Sequence, residues 1–286
     1  MPSHHHPDFL LIGAPKAGST SLWRYLRQHP SIYTPDLKEP NFFCDNGGRF
    51  PDWSWYDDLF ANADDDQVTG EASVAYSLVE RNPSTPGRIA EHLPDVRLLY
   101  IVRHPLERIE SAWQHHIYKR NPVPRDFGVA VQEFRELIEG TLYMRNLNRY
   151  REHIPDERIR VLLLSDLADC PDATLQDCDS FLGVDPDRRP PLTMDPQNET
   201  DGKTVLPRPV DWLSKNGLSM ITASIPDAIT APVKQLIERP LPERPSWPFT
   251  AYRHAMHHLR DDAESILTYA GKPNDFWDLS NPSSEE

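Results

Sequence analysis

The chain has 286 residues, with 38% hydrophobic and 26% charged content and a formal net charge of −14. That is enough apolar material for one large α/β domain or two small ones. The acidic balance argues against a general binder of nucleic acid or anionic membrane, so any anionic ligand has to be held by a local basic cluster.

Residues 1–7 read as a loose polar tail, in which His4, His5 and His6 are incidental rather than a metal site. An apolar strand at Phe9–Ile12 breaks at Gly13. A loop of small residues leads into a helix over 19–28. Phe42 and Phe43 follow, then Trp53, Trp55 and Tyr56. The two tryptophans either alternate across a short strand or offer rings for stacking. A strand over Val68–Gly70 precedes a helix over 84–92. "VRLLYIV" predicts a strand over Arg97–Val102, and Pro105 suits the first turn of a helix over 105–119. Helices over 126–139 and 142–153 lead to a strand over Arg160–Leu164 and a helix over 172–182. Residues 183–250 are proline-rich and poorly periodic, which reads as a covering lid rather than a second core. A helix over 253–270 closes the pattern, and residues 281–286 form a polar tail.

Unalternating runs such as "IRVLLL" predict strands buried on both faces, hence a three-layer α/β fold with a central, mostly parallel sheet and helices on both sides. One domain over 8–280 is the economical reading. No apolar run approaches the ~20 residues of a membrane span, and no signal peptide is visible. Three cysteines without zinc-type spacing suggest neither a metal site nor a disulfide framework, with a reducing cytoplasm as the expected setting. Oligomeric state is not legible.

The stretch "GAPKAGST" has the strand–loop–helix context in which backbone N–H groups cradle an anion. Gly13 and Gly18 keep the spacing of a nucleotide-triphosphate loop, but the lysine is Lys16, inside the loop, instead of following Gly18. A second unit, "RLLYIVRHPLERIES", puts Arg103 at the carboxyl end of a strand and Ser111 on the following helix. In an open parallel sheet both units face the same crevice. The sequence therefore supplies two anion sites, which fits a ligand with two separated phosphates. It lacks the strand-end carboxylate with which triphosphate enzymes hold magnesium: Arg103 stands there.

These stretches resemble the sulfotransferases that use 3′-phosphoadenosine 5′-phosphosulfate (PAPS). "LLLSDLADCPDATLQDCDSFLGVD" and the ending "LRDDAESILTYAGKPNDFWDL" extend the resemblance over most of the chain. It implies that Lys16 contacts the oxygen bridging sulfate and phosphate. Ala17, Gly18, Ser19 and Thr20 would hold the 5′-phosphate, and Arg103 and Ser111 the 3′-phosphate. "DLKEPNFF" resembles the Lys-Glu-x-x-Phe-Phe segment of glycan-type and bacterial members, which makes Glu39 the general base and places Phe43 at the acceptor. "TGEASVAYS" matches another family segment at Glu71, Ser73 and Tyr76, with Glu71 beside the acceptor or assisting proton transfer. It departs at Ala72, where glycan enzymes often carry lysine.

His115 shares a helix face with Ser111, and the resemblance places an acceptor-lining histidine there. His116 is expected to point into solvent. Lys203, in "DGKTV", matches the family's late basic loop over the cofactor, with Arg208 a weaker match. The implied co-substrate is PAPS without a metal. The implied acceptor is a hydroxyl of a small molecule, glycan, lipid or natural product. A P-loop kinase and a catalytically silent nucleotide binder are the alternatives.

Overall fold

The computed structural model describes residues 6–45, 52–192, 204–205, 239–240 and 244–282. Five strands form one sheet: β1 (Phe9–Gly13), β2 (Ile32–Tyr33), β3 (Val68–Ala72), β4 (Arg97–Val102) and β5 (Ile159–Leu163). Their order is β2-β3-β1-β4-β5, and every pairing is parallel. β1 is thus central, with β3 on one side and β4 on the other.

Helices cover both faces, and the period-two alternation of strand side chains decides which residues meet them. Leu10, Ile12, Leu98, Tyr100 and Val102 belong to one core. That core includes α3 (Thr85–His92), α4 (Pro105–Tyr118), α7 (Tyr143–Arg151) and α10 (Phe249–Tyr269). Phe9, Leu11, Leu99 and Ile101 pack on the opposite face against α1 (Ser19–Leu26) and α9 (Pro171–Leu182). Both faces of the central strands are therefore dry, which is why their sequences are continuous apolar runs.

Several local expectations are corrected. Trp53 and Trp55 lie on a helix, α2 (Trp53–Asp58), not on a strand. Asp52 caps it, its carboxylate accepting from the Ser54 N–H at 3.1 Å. The long helix expected over 126–139 is two, α5 (Phe127–Glu133) and α6 (Glu136–Glu139), because Phe134 leaves helical geometry at φ −95° and ψ 84°. A further helix, α8 (Leu164–Asp169), follows β5 directly. His6 and Pro7 are held rather than loose. Pro7 is buried, the His6 carbonyl accepts from Thr69 Oγ1 at 3.0 Å, and the His6 ring pairs with Asp57 at 3.2 Å. From the proline-rich stretch the structure describes a two-residue antiparallel ladder, β6 (Thr204–Val205) with β7 (Arg239–Pro240). Lys203 and Arg208 lie outside the described residues.

Candidate active site

The carboxyl ends of β3, β1 and β4 converge on one edge of the sheet, at the switch point of the strand order. The middle of that edge is the loop between β1 and α1. Gly13 opens it at φ 153°, packed so tightly that a Cβ there would lie 2.2 Å from Ser77 Oγ. The Ala14 N–H donates to the Ile101 carbonyl of β4 at 2.7 Å. Gly18 closes the loop at φ 91°, against Leu164, the first residue of α8. It has no side chain to cap α1, and no acidic residue occupies the helix's first turn. The amides of Ser19 and Thr20 stand in that uncapped turn, with the positive end of the helix dipole behind them. An anion is the natural cap. Ala17 and Ser19 are buried, whereas Lys16 and Thr20 are half-buried.

On the β4 side, Arg103 follows the last strand residue. Its Nε and Nη2 donate to Glu107 Oε2 at 3.0 and 2.9 Å, which fixes the guanidinium plane at the sheet edge. That interaction holds Glu107 below the ordinary carboxylate range, although burial acts in the opposite direction. Tyr143 donates its hydroxyl to the Arg103 carbonyl at 2.9 Å. Ser111 is half-buried on α4, and so is His115 one turn further on. His116 is not solvated as expected. It lies 3.5 Å from Glu136 and 2.8 Å from the Asn121 amide, and burial lowers its pKa.

On the β3 side, the segment 38–44 is sewn to the strand end. The Glu39 N–H donates to the Ala72 carbonyl at 2.9 Å, and Glu39 Oε2 accepts from the Val74 N–H at 3.0 Å. Lys38 pairs with the other carboxylate oxygen. Glu39 keeps 32% of its side chain exposed, so the carboxylate is both held and reachable. Asn41 donates its N–H to Ser73 Oγ at 2.9 Å. Among the described residues four non-glycine residues take a left-handed φ, and Lys16 (68°), Glu39 (65°) and Asn41 (54°) are three of them. Such conformations persist only where the surroundings over-determine them, and they gather at functional sites.

Behind this segment Glu71 is completely buried. Its carboxylate accepts from Tyr76 at 2.7 Å, Ser73 at 2.8 Å and Tyr56 at 3.3 Å. Burial pushes its pKa up to about 7, against those three hydroxyls, and the Glu39 charge adds to the rise. Phe43 is 2% exposed and belongs to the core, edge-on to Tyr56 and Tyr76. Phe42 stacks flat on Tyr56 at 4.2 Å.

Sequence reasoning missed Arg108, which is 3% exposed and bonded to the loop through the Pro15 carbonyl. The helix period puts Arg108 on one face with Pro105 and Ala112, but a charged residue there reads as solvated, and its acceptors come from distant parts of the chain. The tyrosine pair around Glu71 was half seen, Tyr76 from its motif and Tyr56 only as an aromatic. Among the described residues no group of three or more His, Cys, Asp or Glu side chains is arranged to hold a metal ion.

The family model described as "Sulfotransferase domain" matches residues 6–196. A human heparan sulfate glucosamine 3-O-sulfotransferase 3B1 is 27% identical over 190 residues, covering 62% of this chain and 46% of its own length. A bifunctional heparan sulfate N-deacetylase/N-sulfotransferase 1 of Caenorhabditis elegans is 31% identical over 165 residues, covering 51% of this chain and 18% of its own. The chain spans less than half the length of these curated relatives. Among solved structures, a sulfotransferase from Alicyclobacillus acidocaldarius superposes with a TM-score of 0.59 at 30% identity, over 67% of this chain and 87% of that one.

Proposed function

Because the chain belongs to the sulfotransferase domain family, we propose that it moves the sulfuryl group of PAPS to an acceptor hydroxyl by in-line displacement. The observation that carries this reading is the uncapped α1 turn and Lys16 loop beside a fixed Arg103 at the same sheet edge. Two anion-binding stations on neighbouring strand ends suit a nucleotide phosphorylated at both 3′ and 5′ positions. The loop amides from Ala17 to Thr20 receive the 5′-phosphate, and Arg103 with Ser111 receives the 3′-phosphate. As the S–O bond breaks, charge builds on the bridging oxygen. The Lys16 ammonium stabilises that charge more in the transition state than in the ground state.

Glu39 takes the acceptor's proton. Its left-handed backbone and its bond to the Val74 N–H hold the carboxylate in one place. Glu71 holds the base segment from behind, through Ser73 and Asn41. The heparan sulfate relatives bear on the acceptor class, a carbohydrate-like alcohol. Ala72 and the net charge of −14 favour an acceptor less anionic than a sulfated glycan.

Calorimetry in EDTA tests the donor site. Adenosine 3′,5′-bisphosphate should bind at least about tenfold tighter than ADP, the difference of one charge-assisted phosphate contact. Equal affinity would refute the 3′-phosphate station. Transfer from labelled PAPS to an alcohol, followed by mass spectrometry, tests turnover, and its absence across carbohydrate, lipid and phenolic acceptors would refute the enzyme reading.

A further inference from the structure

Arg108 leaves α4 on its buried side and reaches between the β1–α1 loop and the α6–α7 junction. Nε donates to the Pro15 carbonyl at 3.0 Å. Nη1 donates to the Leu137 carbonyl at 3.0 Å and to Thr141 Oγ1 at 3.1 Å. The fork fits because residue 140 is glycine: a Cβ there would lie 2.5 Å from Nη2. These acceptors are all uncharged, and burial pulls the guanidinium pKa down from its ordinary value. The group stays protonated, since arginine does not lose its proton in proteins.

A buried cation on neutral acceptors is an expensive way to tie a core together. Its position gives it a second task. The Pro15 carbonyl and the Lys16 N–H belong to the same planar peptide unit. In a trans peptide the two point in opposite directions, so drawing the carbonyl inward turns the Lys16 N–H outward. Lys16 itself sits at φ 68°, a conformation that a lysine adopts only when held. The same side chain ties the loop to the buried side of α4.

We propose that Arg108 is a positioning residue: it clamps the Pro15–Lys16 peptide so that the loop presents its amides and lysine to a 5′-phosphate. The proposal rests on the reading above only for the identity of that ligand. A merely structural arginine would lower stability without choosing between ligands. A positioning arginine weakens ligands with a 5′-phosphate and spares one without it.

The experiment titrates adenosine 3′,5′-bisphosphate, ADP and adenosine 3′-monophosphate into the wild type, Arg108→Gln, Arg108→Lys and Gly140→Ala. All titrations are run well below the lowest melting temperature. Gly140→Ala keeps the charge but crowds the fork, and it stands in if Arg108→Gln does not fold. The expected result is a loss of at least about tenfold for the two 5′-phosphate ligands, with adenosine 3′-monophosphate changed less than about twofold. Arg108→Lys should recover part of the loss. Equal weakening of all three ligands, or no weakening, overturns the proposal. If the wild type binds ADP as tightly as the bisphosphate, the PAPS reading fails instead. The ADP arm then still decides the role of Arg108.

Discussion

Replacing Glu71 with glutamine should make the protein's stability less sensitive to pH, by an amount that follows from the burial of that carboxyl. An unfolded glutamate titrates near 4.5, and burial in the folded protein raises Glu71 to about 7. Below the lower value both states carry the proton and nothing is lost. Between the two values the unfolded chain ionises while the folded one holds its proton, so stability falls as pH rises and levels off above the folded value. The difference amounts to about 3 kcal/mol. Glu71→Gln keeps the shape and an acceptor oxygen, and the Tyr56, Tyr76 and Ser73 hydroxyls can rotate to suit the amide. Urea unfolding of wild type and variant at pH 4.5, 6, 7 and 8, at constant ionic strength, reads the effect. The variant should be level with wild type or slightly weaker at pH 4.5, and gain about 3 kcal/mol on it by pH 8. Titrations at distant sites, such as Asp262, are common to both proteins and cancel in the difference. A difference that stays flat across this range would show that Glu71 is ionised in the folded protein throughout, and the hydroxyl cluster would then outweigh its burial.

Lys16→Ala should lower kcat well before it weakens adenosine 3′,5′-bisphosphate, because its partner charge develops as the bond breaks. Steady-state kinetics showing a raised KM for PAPS at unchanged kcat would make it a binding residue only. Glu39→Gln should cost about 10²–10⁴-fold in kcat with bisphosphate affinity near wild type. Wild-type turnover in that variant, with activity lost in His115→Ala, would move the base to α4.

What the sequence made legible, and what it hid, divides along the range of the interactions involved. The central strands were readable because covering both faces leaves one kind of residue at every position, as in "RLLYIV". The turn between β1 and α1 was readable because two glycines with left-handed or extreme φ bracket it, and steric need of that kind is local. Even local signals misled where two fit one pattern. Trp53 and Trp55 stand two apart, as on a strand, yet the Asp52 cap decides for a helix. Phe134 ends α5 with neither glycine nor proline to announce it. The polar groups of the interior were hidden for a different reason. A charged residue in a helix reads as a solvated face, and Arg108 is buried only because Gly140 makes room and Pro15, Leu137 and Thr141 supply acceptors. Glu71 likewise depends on Tyr56, which reaches it from a helix whose tryptophans carry a strand-like spacing. Each of these groups is costly alone and tolerable only with its partners in place. Their presence at the two flanks of the loop, where Lys16 and Glu39 hold left-handed backbones, is therefore informative. A core built for stability alone would have filled those positions with apolar side chains.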